Sequence, residues 1–249
     1  MRHALVTGGG SGIGLAIARR LADEGCAVTI AGRTLARLAE AARLDSRLNA
    51  VVCDVCDQAS VDAAFGAAAE ARGPVAILVN NAGIVRTAPF ARQTDTDWNE
   101  AWKTNVLGAV HAIRAVIAPM RAMPEARIVN VASTAGQKGY AYTAAYSASK
   151  HALLGLTRVL ATELARTGVT VNAVCPGYTA TGIVDDAVAN IVARTGRTAD
   201  EALTGLTGAN PQGRLVDPLE VADAVAWLVG DLARSVTGQT ISIAGGEVA

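Results

Sequence analysis

HALVTGGGSGIG, residues 3–14, decides how the rest of the chain is read. A short apolar run enters a turn containing Gly8, Gly12 and Gly14, and residues 12–24 beyond it carry Ala, Leu, Ile and Arg at helical spacing. Strand, glycine turn and helix in that order present a helix N-terminus, with its unpaired N–H groups and partial positive charge, to an anion. Gly8 permits the tight turn, Gly12 lets the backbone approach a pyrophosphate, and Gly14 lets the helix pack on the strand. Thr7, Ser11 and Ile13 belong to the same turn and are taken with the glycines as cofactor-binding candidates. The spacing is T-G-x3-G-x-G and not G-x-G-x-x-G, and the plain alternative is an ordinary glycine-rich strand-to-helix turn.

Outward from this turn, short Val/Ile/Leu-rich runs recur at 27–31, 49–53, 76–80, 127–132, 169–174 and 239–244. They are near-continuous and not alternating, as expected of strands buried on both faces. Helical patterns separate them at 34–43, 60–72, 96–121, 145–167 and 219–229. The alternation implies an α/β fold: a Rossmann-like, doubly wound parallel sheet of about seven strands with helices on both faces. No linker divides residues 1–249, so one domain is expected. Residues 177–218 read as an excursion at the carboxyl edge of the sheet, where open α/β sheets bind ligands.

The chain has 51% hydrophobic and 18% charged residues, with 22 Lys+Arg against 22 Asp+Glu. That composition excludes a disordered chain, and the balanced charge argues against a nucleic-acid partner. No apolar run is long enough for a membrane span or a secretory leader, so a cytoplasmic protein is expected. The four cysteines are too few for a disulfide scaffold, and Cys53-x-x-Cys56 is read as flanking the end of a strand. No metal site is expected.

The end of the second strand bears on which dinucleotide the turn would take. An acid there would bond a free ribose 2′-hydroxyl; here Gly32 stands in that place, followed by Arg33, whose guanidinium suits a phosphate. NADP(H) is therefore favoured, with NAD(H) as the alternative if Arg33 is only a solvated residue at the start of a helix. Asp54, with Val55 after it, ends the third strand and is a candidate for the adenine amino group, or else a turn aspartate.

Tyr146 and Lys150, in YSASK, lie four residues apart on one helix face. A free phenol titrates near ~10, and a nearby ammonium would lower it toward the working range of a proton donor. Ser133, just past the strand at 127–132, can reach the same crevice and bond a carbonyl. Asn105 is a polar residue within a largely apolar helix, where a backbone or water contact must hold it.

TGGGSGIG, NNAG at 80–83, Asn105, Ser133, YSASK and PGYTAT at 176–181 together resemble the short-chain dehydrogenase/reductases of this length. The likeness spans residues 3–246 and implies a hydride exchange between NADP(H) and a carbonyl or secondary alcohol. It implies Tyr146 as proton donor, Lys150 on the nicotinamide ribose, Ser133 on the carbonyl and Asn105 holding a relay water. Asn81, Ala82 and Gly83 would line the cofactor, and Pro176, Gly177, Thr179 and Thr181 would border the nicotinamide. Within the family the chain looks most like β-ketoacyl and acetoacetyl-CoA reductases and polyketide ketoreductases. The substrate expected is a 3-oxoacyl thioester of CoA or a carrier protein, and the assembly a homotetramer. Another secondary alcohol (aryl, steroid, cyclic or sugar) is the alternative substrate class.

A serine hydrolase lacks its G-x-S-x-G elbow here, and a metal-dependent alcohol dehydrogenase lacks clustered ligands. A catalytically silent nucleotide sensor would be expected to lose Tyr, Lys or Ser, and all three are present. Ala88, Pro89 and Phe90 are candidate mouth residues, and Gln137, Tyr140 and Tyr142 are candidates to face the substrate. Arg194 and Arg197 are candidates to meet a CoA or carrier phosphate.

Overall fold

The computed structural model describes residues 1–249. Seven parallel strands form one sheet: β1 (His3–Thr7), β2 (Ala27–Gly32), β3 (Leu48–Val52), β4 (Val75–Asn80), β5 (Ala126–Val131), β6 (Val169–Pro176) and β7 (Thr240–Ile243). Their order is β3-β2-β1-β4-β5-β6-β7. The chain reverses its direction of winding between β1 and β4, so the loops after these strands part there and leave a crevice at their carboxyl ends.

The near-continuous apolar strands divide their side chains between two cores. Ala4, Val6, Ile77, Val79 and Val129 pack with α1 (Gly12–Asp23), α2 (Leu35–Leu44) and α9 (Pro218–Val229). Leu5, Leu78, Ile128 and Val171 point the other way, against α3 (Gln58–Arg72), α5 (Gly108–Arg121) and α6 (Ala144–Glu163). Residues on neighbouring positions thus serve opposite faces, and a polar outward face never appears in the pattern.

The expected helix 96–121 departs from a simple α-helix. It consists of α4 (Asp95–Trp102), a π-helical turn at Lys103–Leu107, and α5. Thr94 opens it with a capping box to Asp97. The excursion after β6 holds α7 (Gly182–Thr195) and α8 (Ala199–Thr207), and an isolated parallel bridge between Thr179 and Val216 joins its two ends. No helix is long and apolar enough to cross a membrane.

Candidate active site

Gly8 and Gly12 have φ of +65° and +52°, which explains the glycine requirement at both. Gly14 is required for a different reason: a Cβ there would lie 2.3 Å from the Gly8 carbonyl oxygen and 2.4 Å from Asn81 Nδ2. The turn is braced from β4. The Asn81 amide donates to the carbonyls of Thr7 (3.0 Å) and Gly8 (3.2 Å), while Thr7 Oγ1 accepts from the N–H groups of Asn81 (3.0 Å) and Ala82 (3.1 Å). Thr7 and Asn81 therefore spend their polar groups on each other's backbone. Ser11 is exposed and makes no side-chain cap bond, so it does not fill the anion position at the start of α1. A Cβ on Gly12 would meet Thr181 Cγ2 at 3.3 Å, so the glycine turn faces the PGYTAT segment across the crevice.

The donor chemistry fits a dinucleotide: free helix-start N–H groups, glycine backbone, and beyond β2 an exposed Arg33 without an ion pair. Arg37, which the sequence reading missed, lies beside the turn; its Cβ is 3.5 Å from the Cβ position of Gly10. Its signal was a second arginine four residues on, at the start of α2. Asp54 Oδ1 accepts from the Cys56 N–H at 3.0 Å, a turn-aspartate contact that leaves Oδ2 without a hydrogen bond. Val55 packs on Gly108, and its carbonyl is held by His111 Nδ1 at 2.8 Å.

Asn105 sits in the π-turn and is buried. Its Oδ1 accepts from the Ile84 N–H at 2.8 Å, and its Nδ2 donates to the Ile84 carbonyl at 3.0 Å and to Ser149 Oγ at 2.9 Å. The amide thus pairs with one residue's backbone as a neighbouring strand would, which is the contact a mid-helix Asn demanded. Ser149 passes the link on, donating to the Tyr146 carbonyl at 2.7 Å. Ser149 was also missed; its position one residue before Lys150 was the only hint. Gly83 lies between these groups: a Cβ there would come 3.2 Å from Asn105 Oδ1 and 3.5 Å from Lys150 Nζ.

On α6, Tyr146 and Lys150 share a face, with Nζ 5.7 Å from the ring centroid. Lys150 is buried and donates to the Val131 carbonyl at 2.8 Å. Burial pushes its ammonium down to about 8. Burial also pushes the Tyr146 phenol up, and the Ser133 hydroxyl pulls it part of the way back. Desolvation is the largest influence on that phenol, and the Ser133 hydroxyl favours phenolate. Ser133 follows β5 and accepts from the Ala135 N–H at 3.1 Å, which leaves its proton free.

These groups open on one cavity of about 1030 Å³. Ile13, Gly83, Ser133, Tyr146, Pro176, Gly177, Thr179 and Thr181 line it, as do Ala88, Pro89, Tyr140, Tyr142 and Arg194 from the substrate-side expectations. All four tyrosines of the chain, Tyr178 included, face it. Three expected residues do not. Phe90 points to solvent, 74% exposed, because its short 3₁₀ turn rides outside the rim. Gln137 turns toward β7, where its Oε1 accepts from Ser242 Oγ at 3.0 Å. Arg197 lies past the left-handed Gly196 that ends α7, on the outer surface.

A phenol and a hydroxyl beside a large, mostly apolar cavity can grip a carbonyl oxygen and deliver a proton to it. The glycine turn opens toward the same crevice. Comparison with known proteins agrees with this arrangement. The short chain dehydrogenase family model matches residues 2–191. The chain belongs to the short-chain dehydrogenases. Its fold matches that of a variant of actinorhodin polyketide ketoreductase solved with NADPH, at a TM-score of 0.95 and 39% identity over 99% of this chain and 97% of that one. An acetoacetyl-CoA reductase of Rhizobium meliloti is 40% identical over 99% of this chain and 98% of its own length. The 3-oxoacyl-acyl-carrier-protein reductase FabG of Vibrio cholerae is 37% identical over 98% and 96%. This short-chain dehydrogenase is accordingly an oxidoreductase.

Proposed function

We propose that this short-chain dehydrogenase reduces the 3-keto group of a 3-oxoacyl thioester, carried on CoA or on a carrier protein, with NADPH. The observation that carries the reading is Tyr146 and Ser133 on one wall of the cavity, with Lys150 buried behind them. NADPH, once bound, supplies the hydride. The residues of the chain manage everything else. The first turn of α1 and the glycine backbone would receive the pyrophosphate, and Arg33 and Arg37 the ribose phosphate. Asp54 and Val55 would border the adenine, and Ala82, Gly83, Pro176, Gly177, Thr179 and Thr181 the nicotinamide.

Ser133 and the Tyr146 hydroxyl both donate to the substrate carbonyl oxygen, and the Tyr146 proton moves onto that oxygen as negative charge develops there. The buried Lys150 ammonium then faces a phenolate, which reverses the desolvation that lowers its own affinity for a proton. The Asn105–Ser149 link ties the π-turn to α6 at the backbone of Tyr146.

Arg194, at the cavity wall, suits the phosphate of a thioester carrier. The cavity is at the upper end of the usual range for small-ligand sites, roughly 300–1,000 Å³, and its tyrosines favour a bulkier cyclic or aryl ketone as the second reading. A cytoplasmic homotetramer completes the proposal; exposed Leu232, Leu219 and Trp227 on and beside α9 supply apolar surface for it.

The test is NADPH consumption with acetoacetyl-CoA and with cyclic ketones. Tyr146→Phe is expected to reduce turnover by about 10²–10⁴-fold with NADPH affinity unchanged. Residual turnover above a tenth of the parent's would remove Tyr146 from the role of proton donor.

A further inference from the structure

The segment that follows β7 returns to the active-site side of the sheet. Gly245 and Gly246, with φ of +60° and +92°, turn it there. It is packed against the residues after α8: a Cβ on Gly245 would overlap Asn210 Oδ1 at 2.0 Å. The Glu247 side chain, 1% exposed, is thereby carried in among groups of the cavity wall.

Three contacts meet on that carboxylate. Glu247 Oε1 takes a short hydrogen bond from the Tyr140 hydroxyl. Lys138 Nζ lies 3.4 Å from the same oxygen, donates to the Glu247 carbonyl at 3.0 Å, and stands 5.0 Å from the centroid of the Tyr140 ring. Glu247 Oε2 approaches Gly177 so closely that a Cβ there would lie 3.0 Å away. Tyr140 Oη is also 2.8 Å from Thr134 Oγ1, next to Ser133. A phenol has one proton and a carboxylate only accepts, so that proton serves Glu247 and the threonine hydroxyl turns its own toward Oη. Burial first, and the Glu247 carboxylate after it, push the Tyr140 and Tyr178 phenols up and keep them neutral.

Tyr140, Thr134, Gly177 and Tyr178 all line the cavity, whereas Glu247 does not. With its hydroxyl committed on both sides, Tyr140 has no hydrogen bond left for substrate and contributes only its ring to the wall. We infer that Glu247 is a positioning residue that fixes the Tyr140 ring in the cavity wall, so that the segment after β7 sets how large a ketone the site accepts. This rests on reading the cavity as the ketone site.

The test is a double-mutant cycle with Glu247→Gln and Tyr140→Phe in the full chain, using cyclohexanone as the small ketone and 1-tetralone as the bulky one. Binding of 1-tetralone by calorimetry with NADP⁺ present is measured beside the kinetics, so the wall is probed without turnover. Releasing the ring is expected to weaken 1-tetralone binding and raise its KM about three- to tenfold; in Glu247→Gln, at a residue that does not line the cavity, kcat and the cyclohexanone KM are expected to change less than about twofold. The double variant is expected to be no worse than either single one, because both remove the same contact. Additive effects, or equal KM changes for both ketones, would overturn the clamp. An enzyme that turns over neither ketone but shows the coupled loss in calorimetry would sink the reductase reading and leave the clamp standing.

Discussion

Asn105→Ala separates two views of the π-turn: a local irregularity, or a joint that the site depends on. The side chain is 2% exposed and makes three hydrogen bonds, two of them to the backbone of Ile84. Truncation leaves the Ile84 N–H and C=O without partners. A buried group left unpaired costs about 1–3 kcal/mol. Ile84 is only half-buried, so water reaches part of that loss and the lower half of the range applies to each group. Two such groups, with the small cavity left by the missing amide, give a destabilisation of about 2–4 kcal/mol. Ser149 keeps its bond to the Tyr146 carbonyl but loses its tie to the π-turn, so α6 and the Ile84 loop come apart at the catalytic face. The assay is urea unfolding followed by circular dichroism, with turnover measured well below the transition. Stability is expected to fall by the amount above and kcat to fall with it, while NADPH affinity changes little. A loss below about 1 kcal/mol with kcat intact would show that the Asn105 bonds are replaceable and the π-turn is incidental.

Other expectations follow from the charged groups. Lys150 has a folded pKa of about 8, lowered by burial, so at neutral pH the folded chain holds a desolvated ammonium. The gap from an ordinary lysine is worth about 3 kcal/mol, and allowing for the lost bond to Val131 leaves about 2 kcal/mol by which Lys150→Met should be more stable near pH 7. Differential scanning calorimetry reads this; an unchanged or lower Tm would refute the desolvation argument, and activity should be lost either way. Arg33→Asp should turn the ratio of kcat/KM values from NADPH toward NADH by at least about tenfold, since a guanidinium–phosphate contact becomes a repulsion; an unaltered ratio would move the phosphate contact to Arg37. His3 is buried between the Gly73 carbonyl (2.7 Å) and Thr29 Oγ1 (2.9 Å), and its pKa is lowered chiefly by burial. A lowered folded pKa means stability that is full above the unfolded value of about 6.5 and lost as pH falls through the folded one. Asp45 and Glu220, each held near 2 by an arginine, add their own loss only at much lower pH. Urea midpoints between pH 7 and 5 should therefore decline, and His3→Gln should flatten that slope; equal slopes would exonerate His3.

The strands and the order of the site motifs could be read from the sequence because each depends on local necessity. Strands buried on both faces must be apolar throughout, and the bend after β1 needs glycine where φ is positive. Tyr146 and Lys150 could be paired because helical spacing alone puts them on one face. Spacing reports adjacency and says nothing about how little water reaches either group. Burial decides that, and burial is set by β5, β6 and the excursion together.

Contacts made by residues distant in sequence left no comparable trace. Asn105 and Ile84 are 21 residues apart, and Asn105 and Ser149 are 44 apart. The π-turn that lets the amide reach both has no signature in KTNVLG beyond an asparagine out of place. Glu247 was passed over for the same reason. In IAGGEVA it reads as a solvated acid after a strand, and only the fold shows that two left-handed glycines return it to within bonding distance of Tyr140, 107 residues earlier. Phe90 follows the lining residues Ala88 and Pro89, and its 3₁₀ turn faces the ring outward, an orientation the sequence does not encode legibly. The turn at 7–14 works almost unaided because its chemistry is backbone and charge. The cavity wall is assembled from segments far apart in the chain, so its selectivity depends on how those segments are tied to one another, with Glu247 the tie that a sequence pattern is least able to reveal.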